Sequence, residues 1–389
     1  MSAITLRGMT WNHPRGYAPL EATARAYRER HPHVQITWDR RSLKDFEDFP
    51  VAQLAAQYDL IVIDHPFVGF AAAHGPLLPL DQHLPADFLA DQAAHAVGAS
   101  HASYFFGAHQ WALAIDAATP VACWRPDLLV DRGGQPPLTW DEVLTLARAG
   151  RVEVPAAPIN CLMDFLGLCL AWGETPCAGP DRVVTPATGR AVLAMFGELL
   201  AHCEPGIWER NPIHSQNLLA SAENTQVAYC LFPYGYSNYA RPGYAPRRLT
   251  YGDLPTFRGQ PLRSVLGGTG LAVSALRPEH RAVALDYARF TADGETQRTL
   301  YTAAGGQPGH RPAWLEPENN RAAGDYFAAT LPALDRAWVR PRHAGYLEFQ
   351  EKAGPVVQAA LRGQLAADTA LAQLDALHRA GLTHAPLRA

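Results

Sequence analysis

Several large classes of protein are excluded by what this chain does not contain. No run of 18 apolar residues occurs in its 389 residues, so no helix is expected to span a membrane. The N-terminal MSAITLRGMTW has no basic segment followed by an apolar core of about 7–15 residues, so no secretory signal is present as written. Two expectations stay open there: a mature form whose leader has been replaced, or a cytosolic protein. Charge is scarce, at 18% of residues with a formal net charge of −4, and no polyanion-binding signature is expected. Nucleic acid is therefore not an expected partner. Lysine is confined to Lys44 and Lys352, which carries little chemistry.

Signatures of catalysis and metal binding are missing as well. HExxH, GxxxxGK[ST] and GxSxG do not occur, which removes the main warrants for a zincin, a P-loop enzyme or a nucleophile elbow. Gly268-Thr269-Gly270 begins like a dinucleotide fingerprint, but Val273 stands where the third glycine belongs and no helix is predicted to open there. Six cysteines, at 123, 161, 169, 177, 203 and 230, show no CxxC and no paired metal spacing, so buried free thiols are expected. Sixteen histidines have no spaced Cys or carboxylate partners, and His31-Pro32-His33 reads as a turn. Neither a metal nor a cofactor is expected.

What is present begins with a buried strand. Leu60 to Ile63 is an uninterrupted branched apolar run, suited to a strand covered on both faces. It ends at Asp64 and His65, and ligands of open α/β sheets sit outside the carboxyl ends of strands. The same pair serves equally as ordinary turn and capping residues. A short helix follows from Phe67 to Ala73, stopped by Gly75-Pro76. Upstream, Ile4 and Leu6 alternate in a first strand, with residues 8–16 as a loop. Tyr17, Leu20, Ala24 and Tyr27 recur at helical spacing with Pro19 in the first turn. Val34, Ile36 and Trp38 form a second strand ending at Asp39-Arg40-Arg41, and a helix from about Phe46, bent or delayed at Pro50, leads to the third. The order β-α-β-α-β-α predicts parallel strands with covering helices.

Downstream, the runs Gln110 to Ala117 and Pro120 to Trp124 flank Asp116. Thr139-Trp140-Asp141-Glu142 is a capping box opening a helix through Ala147. Helices are predicted over Asn160 to Trp172 and, with an apolar stripe from Val192 to Cys203, before a strand over Thr225 to Phe232. Aromatic residues then gather beside turn residues at predicted strand ends. Trp11, Tyr17, Trp172, Phe232, Tyr234, Tyr236 and Tyr239 offer flat faces suited to stacking on a sugar ring or another flat ligand. Asn12, His13, Asp39, Asp64, His65, Asp116 and Asp164 offer hydrogen bonds that would fix its orientation.

The order of five segments resembles family 1 extracellular solute-binding proteins of bacterial ABC importers, the maltose-binding-protein-like type II periplasmic-binding fold. They are LIVIDHPFVGFAAAHGPLLPLDQHL, HQWALAIDAATPVACWRPDLL, PPLTWDEVLTLA, VAYCLFPYGYSNY and the stretch from Val265 to Trp314. The resemblance implies an α/β, two-lobed clamp of the periplasmic binding protein-like II class. Each lobe would be a mixed sheet covered by helices, with a hinge between lobes. Residues 1–116 and 264–308 would form lobe one, and 117–263 and 309–389 lobe two, with Pro308 in the hinge. It further implies a cleft lined by Trp11-Asn12-His13, Asp64-His65, Asp116, Tyr234 to Tyr236 and Gly267-Gly268-Thr269. Closure of the lobes would remove a small solute, a sugar, polyol or related hydroxylated or acidic compound, from water and present it to an ABC permease. Such a protein would be a monomer outside the cytoplasm and would make or break no bond.

Three alternatives share the fold. A thiaminase I-like enzyme would need a cleft cysteine, Cys123 or Cys161, with a base in reach. A carrier of metal or polyamine would use Tyr234, Tyr236 and Tyr239 for ferric iron, or Asp39, Asp64, Asp116 and Asp164 for a cationic ligand. A cytosolic sensor would retain the clamp without a permease.

Overall fold

A computed structural model describes residues 3–42 and 51–383. Its first sheet grows from the pairing of β1 (Ile4–Trp11) with β2 (Val34–Arg41), parallel and in register from Ile4 opposite Val34 to Trp11 opposite Arg41. This full-length pairing draws Gly8, Met9 and Thr10, expected in a loop, into the strand. Helix α1 (Pro14–Arg30) accordingly starts three residues earlier than Tyr17, capped by His13, whose Nδ1 accepts the Arg15 N–H at 3.0 Å. Pro19 therefore lies inside the helix and not in its first turn.

Strand β3 (Leu60–Ile63) occupies the predicted residues, each no more than 2% exposed. Burying four such side chains is worth about 6–12 kcal/mol, an upper figure because unfolded chains are partly compact. Helix α2 (Phe67–His74) ends at Gly75 in the left-handed conformation that glycine adopts without penalty. Residues 46–50 of the helix expected from Phe46 lie outside the described residues; a helix is present over Val51–Gln57.

β4 (Leu113–Ala118) and β5 (Pro120–Trp124) are separated by Thr119 alone, yet they belong to different sheets. Later strands are β6 (Val152–Glu153), β7 (Tyr229–Tyr234), β8 (Thr250–Gly252) and β9 (Gly267–Val273). The first sheet has the order β2-β1-β3-β9-β4, and the second β8-β5-β7-β6. β9 runs antiparallel to both neighbours, so the first sheet is mixed and not all parallel. The strand expected over Thr225 to Phe232 is displaced toward Tyr234, because Asn224 Nδ2 donates to the Val227 carbonyl at 2.8 Å and holds the preceding residues in a turn.

Each sheet has its own core. Leu20, Tyr27 and Tyr287, from α1 and α6 (Arg281–Ala292), pack with β1, β3 and β9. The second sheet is covered on one side by α3 (Pro158–Ala171), α4 (Pro186–Leu200), α7 (Tyr346–Leu361) and α8 (Ala367–Leu382). Its other face packs on Trp314, Tyr326 and Phe327. The result is a two-lobed α/β clamp. Among the described residues no helix is long and apolar enough to cross a membrane.

The chain passes between the sheets at three places that are bonded to one another. Thr119 Oγ1 lies 2.6 Å from Ser264 Oγ, and the Ala117 N–H donates to the Gln307 carbonyl at 2.9 Å. Leu262 and Val265 pack in the core of the second sheet, so the return crossing falls at Leu266-Gly267.

Candidate functional site

Both sheets turn strand ends toward one cavity of about 810 Å³. β1 contributes Trp11, β3 is followed by Asp64, and β9 opens with Gly267, Gly268 and Thr269. From the second sheet come Tyr234, the last residue of β7, and Tyr236 just beyond it. Two glycines make this wall possible. A Cβ at Gly267 would lie 2.4 Å from the Tyr234 ring, and one at Gly268, whose φ is +91°, would lie 2.3 Å from the Asp116 carbonyl oxygen. Tyr234 Oη donates to the Val265 carbonyl at 3.2 Å, which fixes the ring against the returning crossover.

Two buried ion pairs set the electrostatics. Arg15, in the first turn of α1, meets Asp116 through both carboxylate oxygens, with Nε 2.9 Å from Oδ2, and its Nη1 donates to the Gly235 carbonyl at 2.9 Å. Its guanidinium also stands 4.5 Å from the centre of the Tyr236 ring. One side chain of the first lobe thus holds a loop of the second. The other pair joins Asp64 to Arg340 at 2.6 Å, and Arg340 reaches on to Gln350 of α7 at 2.6 Å. Burial alone would push the Asp64 carboxyl up, but Arg340 and His65 overcome it and hold the carboxyl well below the usual carboxylate range. Each guanidinium is matched by a carboxylate, so the two pairs add no net charge of their own, and Glu209, Glu348 and Glu351 are further acids that line the cavity.

Of the residues singled out from sequence, Trp11, Asp64, Tyr234, Tyr236, Gly267, Gly268 and Thr269 line the cavity. The others do not, and each has a local reason. His13 caps α1, and burial beside Arg15 pushes its imidazole down to about 3. His65 is fully buried behind Asp64, and burial with Arg340 nearby pushes it down to about 4. Both rings are neutral supports of the wall, so they give no argument for an acidic ligand. Asp116 lies one layer beneath the surface as the partner of Arg15. Asn12 is exposed at the strand end. Tyr17 lies under the Arg40 guanidinium at 3.5 Å, and Asp39 bonds Arg7 and Tyr58 on the outer edge. Asp164 is buried within α3, where burial pushes its carboxyl well up, and Trp172 stacks beneath Arg258 at 3.8 Å. Phe232 and Tyr239 are core residues.

Sequence reasoning missed Arg15, Arg340 and the face offered by the second lobe: Asn160 and Met163 of α3, Glu209 and Asn211 before α5 (Pro212–Leu219), and Glu348 and Glu351 of α7. A buried carboxylate requires a cation, so Asp64 and Asp116 did signal that partners exist. Nothing in the spacing selects two of the 33 basic residues, which lie 101 and 276 positions away from their acids.

The alternatives on this fold lose their residues. Cys123 and Cys161 are completely buried, and burial pushes the Cys161 thiol well up, away from a nucleophilic thiolate. Tyr234 and Tyr239 spend their hydroxyls on Val265 and Asn217. The four aspartates proposed for a polyamine do not converge, and three of them, Asp39, Asp64 and Asp116, are paired with arginine.

Residues 22–319 match the family model of bacterial extracellular solute-binding proteins. No curated protein matches the chain by sequence. Among solved structures it is similar to maltose-bound MalE3 of T. maritima, at 18% identity and a TM-score of 0.84 over 97% of this chain and 99% of that one. It is similar also to an ABC transporter solute-binding protein of Agrobacterium radiobacter K84 in complex with ribitol, at 17% identity and 0.83 over 97% and 99%. A third is the GacH receptor of Streptomyces glaucescens, solved unliganded and with acarbose, at 18% identity and 0.79 over 99% and 100%.

Proposed function

This chain belongs to the bacterial extracellular solute-binding proteins, and from that premise we propose that it captures a neutral hydroxylated solute, a sugar or polyol, for an ABC importer. The observation that carries the reading is the make-up of the cavity. Trp11, Tyr234 and Tyr236 line it from both lobes, with the partly exposed Tyr234 offering the most aromatic face, and two internally neutralised Arg–Asp pairs sit behind them. Aromatic faces bury the C–H surface of a sugar ring, while guanidinium, carboxylate and amide edges pair with hydroxyls on either side. Because each arginine is already matched by a carboxylate, neither offers an unpaired cation to an anionic ligand. Sugar- or polyol-type ligands in the similar maltose and ribitol complexes support the same class.

In this mechanism the protein makes and breaks no covalent bond. Residues 1–116 with about 267–308 form one lobe and the remainder the other, and they close about the bonded crossings at Thr119, Leu266 and Gln307. Closure completes the hydrogen bonds on both faces of the solute, since a buried polar group left unpaired costs roughly 1–3 kcal/mol. The protein acts as a monomer outside the cytoplasm and hands the closed form to a membrane permease.

The test is a thermal-shift and calorimetric panel of sugars, polyols, sugar acids, amines and metal salts. A binder present at a hundred times its dissociation constant stabilises the fold by about 2.7 kcal/mol. Hits confined to neutral sugars or polyols are expected. Hits confined to amines or to sugar acids would show that the acids of the second lobe or the arginines select the ligand.

A further inference from the structure

Away from the cleft, the short helix Ala86–Ala94 ends against the crossing segment that contains Gly309. Asp91 and His95 are one helical turn apart, and His310 comes from 215 positions later in the chain. Main-chain bonds fix their meeting. The Val97 N–H donates to the Gly309 carbonyl at 3.0 Å, the Arg311 N–H donates to the His95 carbonyl at 2.6 Å, and Ala96 bridges His310. His95 Nδ1 consequently lies 2.8 Å from Asp91 Oδ1, His310 Nε2 lies 3.4 Å from Asp91 Oδ2, and the two imidazole centres are 5.2 Å apart. One donor atom from each residue falls within 4.8 Å of the others.

We propose that Asp91, His95 and His310 form a binding site for a borderline divalent transition metal such as Zn²⁺, fastening the Gly309 crossing to the helix Ala86–Ala94. Two imidazoles and one carboxylate are the ligand types that such ions prefer over Mg²⁺ or Ca²⁺. Metal–ligand bonds of about 2.0–2.2 Å place tetrahedral donors roughly 3.3–3.6 Å apart. The present spacings bracket that value. His310 is only 6% exposed and is held by its backbone, whereas Asp91 and His95 are exposed and free to turn toward it. Sequence spacing alone gave no metal site because the third ligand joins the first two only through the fold.

The crossing so fastened is part of the hinge. Gln307, three residues before His310, exchanges hydrogen bonds with the Ala117 backbone, and its Oε1 accepts the Ser237 N–H of the second lobe at 2.7 Å. An occupied site would therefore stiffen one of the three crossings about which the lobes close.

The experiment uses the full chain, stripped with chelator and free of any histidine tag, titrated with Co²⁺ by visible absorption and with Zn²⁺ by calorimetry. One equivalent of Zn²⁺ is expected to bind, with a rise in melting temperature and a Co²⁺ spectrum of low coordination number. His95→Ala and Asp91→Asn, both at exposed positions, should each weaken binding about 10-fold or more while the metal-free melting temperature stays unchanged. Binding of equal strength in either variant would overturn the assignment by placing the metal elsewhere, and so would binding well below one equivalent. A His202→Ala variant, exposed just beyond α4 in the second lobe, is expected to bind like the parent.

Discussion

Replacing Arg15 by methionine removes the cation paired with the buried Asp116 carboxylate and the hydrogen bond to the Gly235 carbonyl. The side chains of the pair are 4% and 0% exposed, so water does not repair the loss. Breaking a buried pair by removing one partner costs about 3–5 kcal/mol, most of it the penalty of an uncompensated charge and not the worth of the bond itself. Arg15→Met and Asp116→Leu should each destabilise by that amount. The double variant, which replaces both charges by apolar groups of similar bulk, should recover to within about 1–2 kcal/mol of the parent. Urea unfolding followed by tryptophan fluorescence gives the four free energies of the cycle, with coincidence of fluorescence and circular dichroism checked first because two lobes can unfold separately. If the double variant is as unstable as the sum of the singles, the pair is not coupled and the electrostatic account of the cavity floor is wrong. If Arg15→Met costs less than about 1 kcal/mol, Asp116 is not the buried carboxylate described here.

Other outcomes follow from the same site. Tyr234→Ala should abolish solute binding measured by calorimetry, whereas Tyr234→Phe loses the bond to the Val265 carbonyl and should cost about 0.5–1.5 kcal/mol in stability with the stacking face intact. Trp11 is a poorer probe, because at 3% exposure it belongs to the core of the first lobe and its removal should cost about 3–5 kcal/mol of folding free energy. Acid should destabilise the protein well before carboxylates titrate. His13 and His65 have folded-state values pushed down to about 3 and about 4, so below the ordinary histidine value the unfolded chain takes up protons that the folded one refuses. Stability present above about pH 6.5 is lost progressively toward pH 4, and His65→Gln should flatten that slope in melts run across the range. Finally, Cys161 and Cys230 are fully buried, and burial holds both thiols well above their ordinary value. A thiol reagent at pH 8 should label them only after denaturation. Rapid labelling of Cys161 in the native state would revive the nucleophile reading.

Some of this protein is written in local sequence. The four branched residues of β3 suit a strand covered on both sides, and Gly75 ends the helix after it because glycine adopts the left-handed turn without penalty. Thr139 caps the helix Trp140–Arg148 as its spacing predicts, accepting the Glu142 N–H, although Glu142 turns back to the Leu138 N–H instead of closing the reciprocal bond. The family followed from the order of five segments, and several cleft residues followed from their place at strand ends. These features depend on side-chain shape, backbone conformation and neighbours in the chain.

Tertiary structure decided the rest. β1 runs to Trp11 because β2 lies beside it along its whole length, a pairing that no property of Gly8 or Met9 announces. The histidines looked like ligand groups in the sequence and proved to be neutral supports, because burial and neighbouring guanidiniums set their protonation. Arg15 and Arg340 became cavity residues only when folding brought them to acids 101 and 276 positions away, and His310 met Asp91 and His95 in the same manner. Local periodicity encodes which face of a strand or helix is buried. It does not encode which distant charge will share that burial, since that depends on how two lobes pack across three crossings of the chain.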